Sequence, residues 1–197
     1  MTKATFYRLN LLNPRNPDFC VLQTYPEGMG LKSWKLCRGE PVPPEEYPEN
    51  AQILMSDSEP GMQVPDLVSN TCNLLIVSRR VKEAFEAVNQ GPVQFLPITI
   101  INHKKRPASN DHFIVNPLGT VDILDTKASK IVYLNGEVVK VDTYVVDPQK
   151  AQQAPDLFRV KENPEAYVIS QRIADGILKF DPKPTNMAAS KMEPSSP

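Results

Sequence analysis

LLIVSRRVKEAFEAVNQGP, residues 74–92, changes its hydrophobic period in mid-run. Leu74 to Val77 is an uninterrupted apolar run of strand length, and Ser78 stands where a helix cap belongs. Val81, Ala84, Phe85 and Val88 then recur at helical spacing until Gly91-Pro92 breaks the pattern. The same order returns further on. Tyr167 to Ile169 is a short apolar strand, Ser170 is a second cap, and Ile173, Ala174, Ile177 and Leu178 form a second helical stripe. Pro65-Asp66-Leu67 precedes the first unit and Pro155-Asp156-Leu157 the second, with offsets of 90 at the proline and 92 at the serine. Two copies are too few for a solenoid. The reading is a pseudo-repeated strand-helix unit inside one α+β domain.

Outward from these units the chain reads mostly as strands. Thr5 to Leu12 alternates, Asn13-Pro14 and Asn16-Pro17 turn it, and Phe19 to Tyr25 supplies a second strand. Leu31 to Cys37 alternates and is expected as a third. Val93 to Ile101 is another, with Pro97 demanding an edge position or a bulge because it has no N–H to donate. His103 to Asp111 reads as a polar loop, and Phe113 to Val115 as apolar up to a turn at Asn116-Pro117. Ile131 to Leu134, Asn135-Gly136 and Glu137 to Val141 make a two-residue hairpin, since Asn-Gly accepts the two positive φ angles of a type I′ turn. The expected architecture is α+β, mainly antiparallel sheet with two short amphipathic helices. It occupies residues 1–181, with a strand-rich part at 1–60 and the repeated part at 65–181. Residues 182–197, without an apolar pattern, are expected to be a disordered tail.

Composition narrows the function. With 22 Lys plus Arg against 23 Asp plus Glu, the formal net charge of −1 lacks the basic footprint of a nucleic-acid or anionic-membrane binder. No apolar run approaches the ~20 residues of a membrane helix, and residues 1–8 lack the apolar core of a secretory signal. The expected compartment is the cytoplasm. Cys20, Cys37 and Cys72, odd in number and without a C-x-x-C pair, read as buried small hydrophobes rather than as a disulfide or zinc framework.

The chain also offers little to build a reaction from. Its histidines are His103 and His112, both at the margins of the polar loop and expected to be solvated. Neither a nucleophile elbow nor a glycine-rich phosphate loop occurs. Asp122 and Asp125, three apart, read as capping or surface groups. No catalytic residue, cofactor-binding residue or metal ligand is therefore assigned, and no cofactor is expected.

Charge is distributed unevenly. Between Glu40 and Ser78 lie Glu40, Glu45, Glu46, Glu49, Asp57, Glu59 and Asp66, with no Lys or Arg. Pro41 to Pro48 within it cannot be a regular helix or a central strand and is expected as a surface loop. Such a segment suits a basic partner, because complementary charge speeds association and penalises wrong partners. Glu45, Glu46, Glu49, Asp57 and Glu59 are the candidate partner-binding residues. Lys104-Lys105-Arg106 is the second candidate surface.

Several of these stretches together resemble a bacterial family of immunity proteins from polymorphic toxin systems, formerly a domain of unknown function with a myxobacterial type member. The matching features are Pro65-Asp66-Leu67, Leu75-Ile76-Val77-Ser78 with its Arg-containing helix, and Val93-Gln94-Phe95-Leu96-Pro97-Ile98. Asn116, Leu118, Val121, Asp122, Leu124, Asp125 and Ser129 follow in the spacing N-x-L-x-x-V-D-x-L-D-x-x-x-S, then Leu157-Phe158-Arg159 and Val168-Ile169-Ser170. The resemblance covers residues 65 to 180 well and the first 60 loosely, and Pro117 and Gly119 stand where the family suggests a longer helix. It implies a protein that binds and neutralises a cognate toxin or effector in the producing cell by stoichiometric contact, without turnover. Specificity for one toxin then falls on loops carried by the scaffold. The rival readings are a non-neutralising adaptor or effector-binding protein of a secretion system, and a small enzyme built on Asp122, Asp125 and His112. A homodimer through exposed apolar or strand-edge surface is compatible with either binding role.

Overall fold

The computed structural model describes residues 4–12, 14 and 16–195. Its strands, in chain order, are β1 (Phe6–Leu9), β2 (Val21–Leu22), β3 (Gln52–Leu54), β4 (Ser69–Asn70), β5 (Leu75–Ser78), β6 (Val93–Ile101) and β7 (Pro107–Pro117). There follow β8 (Lys130–Leu134), β9 (Glu137–Thr143), β10 (Val145–Val146), β11 (Leu157–Val160), β12 (Asn163–Ser170), β13 (Ala189–Lys191) and β14 (Glu193–Pro194). The helices are α1 (Trp34–Arg38), α2 (Arg79–Val88) and α3 (Gln171–Leu178).

Two four-stranded sheets form the frame. One has the order β3-β6-β7-β5, antiparallel except for the β3–β6 pair, and the other, antiparallel throughout, has the order β11-β12-β1-β13. Both sheets are covered on both faces, as the apolar runs of β5 and β12 require. Leu75 and Val77 of β5 and Tyr167 and Ile169 of β12 enter a shared central core with Val81 and Phe85 of α2 and Ile173 and Ile177 of α3. Ile76 faces a second core with Leu36, Ile53 and Ile114, while Phe158 and Val168 face a third with Ile123, Leu124 and Met192. The two helices thus lie together over the junction of the sheets.

Several expectations need correction. Leu31 to Cys37 is not a strand: Gly30–Ser33 is a 3₁₀ turn leading into α1. The helix ends on Gly39 at φ +71°, where a Cβ would stand 2.8 Å from the Pro117 carbonyl oxygen. Only glycine both takes the left-handed cap and allows that approach. Phe19 to Tyr25 contributes just β2, paired in parallel with β4 rather than with β1. Asn13 lies outside the described residues. The polar loop is shorter than expected, because β7 begins at Pro107; the turn closes on Asn102, whose Oδ1 accepts from the N–H groups of Lys104 and Arg106. Pro97 is paired with Phe113 on one side, whereas β3 meets β6 only at Thr99–Ile101, so β6 is locally an edge at the proline. The hairpin forms as expected, with Asn135 at φ +52° and Gly136 at φ +85°.

The expected disordered tail is also corrected. β13 extends the second sheet against β1, β14 pairs with β10, and Met192 is buried. Before them, Thr185 and Asn186 bond Asp66 and Leu67, 119 residues back along the chain. Polar and backbone groups make these attachments, which is why no apolar pattern announces them.

Candidate partner-binding surfaces

The acidic segment lies before and after β3, the last strand of the first sheet, whose outward carbonyls at Gln52 and Leu54 accept from the N–H groups of Glu27 and Gln23. Pro44–Glu46 forms a 3₁₀ turn, and Tyr47 donates from its hydroxyl to the Pro97 carbonyl at 2.9 Å, filling the side of β6 that β3 leaves open. Glu45 on this turn and Glu49 just after it are exposed, and Asp57 and Glu59 are exposed beyond β3. Glu46 differs. Its carboxylate accepts from Lys35 of α1 at 2.5 Å and lies 3.4 Å from Lys32, contacts that lower its pKa. Asp57 is 82% exposed with His103 Nδ1 at 3.3 Å. The candidates therefore flank one strand edge, and Glu46 is held by the protein itself. Lys104, Lys105 and Arg106 stand exposed at the β6–β7 turn.

Asp66, the last acid of the segment, points inward. Its Oδ1 accepts from the Ser78 hydroxyl at 2.6 Å and from Arg80 Nε at 2.6 Å; its Oδ2 accepts from Arg80 Nη2 at 2.5 Å and from the N–H and hydroxyl of Thr185 at 2.7 and 2.8 Å. Burial disfavours its charge, yet these donors hold the carboxyl well below the usual carboxylate range. Ser78 occupies the N-cap position of α2, where its hydroxyl donates to Asp66 and makes no cap hydrogen bond. At the second unit Asp156 Oδ1 accepts from the Ser170 hydroxyl at 2.5 Å and Oδ2 from Arg172 Nη1 at 3.1 Å, while Ser170 also accepts from the Ile173 N–H. In each unit the serine N–H donates to the aspartate carbonyl at 2.8 Å.

A different surface is apolar. Val132, Tyr133, Leu134, Val138 and Val139 of the β8–β9 ribbon are all exposed, Leu134 by 64% and Val139 by 61%. Among the described residues the ribbon is anchored at its base, through buried Val141 and half-buried Ile131. Exposed aliphatic and aromatic side chains gathered on a two-stranded ribbon are unusual for a surface with no partner.

The residues of the enzyme reading are not brought together. His112 is buried rather than solvated: Nε2 donates to the Pro65 carbonyl at 3.1 Å, the Ser109 hydroxyl stands 2.8 Å from Nδ1, and burial lowers the ring's pKa. Asp125 accepts from the N–H groups of Lys127 and Ala128, which lowers its pKa, and Asp122 pairs with Lys150 at 2.7 Å. Among the described residues no group of three or more His, Cys, Asp or Glu is arranged to hold a metal ion. Cys20 and Cys37 are buried and Cys72 partly so; burial pushes the Cys20 thiol up to about 12.

One residue had no assigned role in the sequence. Arg159 is fully buried and, among the described residues, pairs with no carboxylate. It donates from Nε to the Pro117 carbonyl, from Nη1 to Cys37 and Pro164, and from Nη2 to Leu36 and Asn116 Oδ1, with its guanidinium 4.2 Å from the Tyr167 ring centre. It closes the C-terminal carbonyls of α1 and ties them to both sheets. Asn116 donates onward to the Glu40 carbonyl, and Ser129 bonds both the N–H and the carbonyl of Val145. Arg159, Asn116, Asp125 and Ser129 thus hold backbone in place, and the motifs that contain them describe a scaffold.

A mixed α+β scaffold with exposed charged and apolar edges is the setting for the comparison with known families. The model of the immunity protein family (Imm11) matches residues 17–193, and the chain belongs to that family. Its members are immunity proteins, so toxin immunity is the role the family gives this chain. Comparison with curated proteins finds no match. Among the described residues no helix is long and apolar enough to cross a membrane.

Proposed function

We propose that the protein neutralises one cognate toxin by stoichiometric binding inside the producing cell, as part of a polymorphic toxin system. The observation that carries a binding mechanism is the β8–β9 ribbon, whose exposed Tyr133, Leu134 and Val139 offer apolar area to a partner. The exposed acids Glu45, Glu49, Asp57 and Glu59 along the β3 edge add a field that suits a basic partner. Glu46, held by Lys35, contributes less to it.

We infer in addition that the two Asp–Ser–Arg units are copies of one element. The matching hydrogen bonds of Asp66 with Ser78 and Asp156 with Ser170, each beneath a helix, support that reading.

Deletion of this gene alone tests immunity: the expected result is self-intoxication, relieved by restoring the gene. The purified chain used as bait in a lysate of its own cell is expected to retain a toxin-bearing partner at equal stoichiometry. A Glu45, Glu49, Asp57 and Glu59 charge-reversed bait retains less if the acidic edge is part of the contact. Survival of the deletion strain while its sister cells secrete the toxin would end the immunity reading.

A further inference from the structure

The two Asp–Ser–Arg units differ in what covers them. At Asp66 the segment after α3 lies across the unit. Thr185 donates its N–H and hydroxyl to Asp66 Oδ2, its hydroxyl oxygen accepts from the Asp66 N–H at 2.8 Å, and Arg80 Nη1 donates to the Pro182 carbonyl at 2.9 Å. At Asp156 the corresponding segment after α2 is shorter. Asn89 Oδ1 reaches the Leu157 N–H at 3.1 Å, but the chain turns at Gly91-Pro92 into β6 and stops short of the aspartate. Among the described residues no counterpart of Thr185 contacts Asp156, and no acceptor meets the Asp156 N–H. Arg172 is 67% exposed where Arg80 is 36%, whereas the two carboxylates are nearly alike, Asp156 at 13% and Asp66 at 10%, so the difference lies at the arginine and at the Asp156 N–H. The uncovered unit opens on a groove of about 1080 Å³ lined by Thr5, Pro148, Gln149, Asp156, Ser170 and Arg172.

We propose that this groove receives an extended segment of the partner protein that carries a Ser or Thr, seated on Asp156 and Arg172 as residues 182–185 sit on Asp66 and Arg80. The partner's hydroxyl and N–H donate to Asp156 Oδ2, its hydroxyl oxygen accepts from the Asp156 N–H, and a carbonyl two or three residues earlier accepts from Arg172. The chain thus displays, filled by its own segment, the contact that its second unit leaves open. That the segment belongs to a toxin rests on the immunity reading; the chemistry of the groove does not.

The probe is the peptide FDPKPTNMA, the sequence of residues 180–188, titrated into the full ¹⁵N-labelled chain. The expected result is saturable shifts of the Asp156, Ser170 and Arg172 amides, with affinity about tenfold weaker when the peptide threonine is valine. Arg172→Ala, an exposed position that leaves the fold intact, is expected to weaken binding comparably. Three results would overturn the proposal: no shifts at Asp156, shifts confined to Asp66 and Thr185, or equal affinity for the threonine and valine peptides. Spectra in which Asp156 moves with protein concentration before peptide is added would assign the groove to a second copy and overturn it as well. With the partner recovered by pull-down, Arg172→Ala bait is expected to retain less of it, and equal retention counts against the partner's use of the groove. The titration contains no toxin, so its failure leaves immunity standing, and a surviving deletion strain overturns immunity without touching the titration.

Discussion

Arg159 donates to the main-chain carbonyl of Leu36, 123 residues earlier, at 2.5 Å. That bond, with its neighbours to Cys37 and Pro117, fastens a five-residue helix too short to persist alone. Replacing Arg159 with Ala strands several buried carbonyls and opens a cavity, and about 4 kcal/mol of stability is expected to be lost. Arg159→Lys keeps the charge without the planar fork and is expected to cost about half as much. Urea unfolding of the two variants checks both magnitudes.

Asp66 gives the protein a defined acid response. Its folded pKa lies below the unfolded value near 4, so its stabilising contribution is complete above about pH 4 and is lost as pH falls towards the folded value. Asp66→Asn is expected to lose about 3 kcal/mol at pH 7. Its stability should then fall less steeply than the wild type's between about pH 4 and pH 2. Parallel acid slopes for the two proteins would refute the assignment.

Thr185 anchors the C-terminal segment. Thr185→Val keeps the shape, removes the hydroxyl that both donates to and accepts from Asp66, and is expected to cost about 1 to 2 kcal/mol. Removing residues 182–197 is expected to cost more than this single change, because β13 and buried Met192 go with it. Thermal unfolding of the two proteins orders the effects, and a silent truncation would contradict the anchoring.

The apolar ribbon separates stability from binding. Substituting Tyr133, Leu134 and Val139 with Ser is expected to change stability by less than about 1 kcal/mol, since these side chains are already exposed. Partner retention in the pull-down should fall at least tenfold if the ribbon supplies the apolar anchor. Protection of the cell should fall with it.

Features written in local chemistry were legible in the sequence. α2, α3 and the Asn135-Gly136 hairpin follow from spacing and turn residues within a short window. Leu31 to Cys37 misled because its alternating residue types suit a strand, which would put Leu36 and Cys37 on opposite faces, whereas the short helix buries both; the distinguishing element is Gly39, whose close approach to Pro117 is invisible until the chain has folded. Ser78 was placed correctly and its partner was not, since the hydroxyl serves Asp66 instead of the helix N–H groups. The acidic candidates were visible as charge, but the pairing of Glu46 with Lys35 across α1 was not. Arg159 stood in a matching motif, but its role carried no local signal: apart from Asn116 Oδ1 its acceptors are main-chain carbonyls, which every residue possesses.

The placement of β1 has a consequence for biosynthesis. Its neighbours in the sheet are β12, which starts at Asn163, and β13, which starts at Ala189. In a growing chain β1 therefore stays unpaired until β12 has been made, and its other border stays bare until β13 follows. Pairing across such sequence separation is slow and leaves unpaired strand edges open to aggregation while it waits. The sheet accordingly cannot close around β1 before β13 has been made, and until then its edges are open to wrong partners.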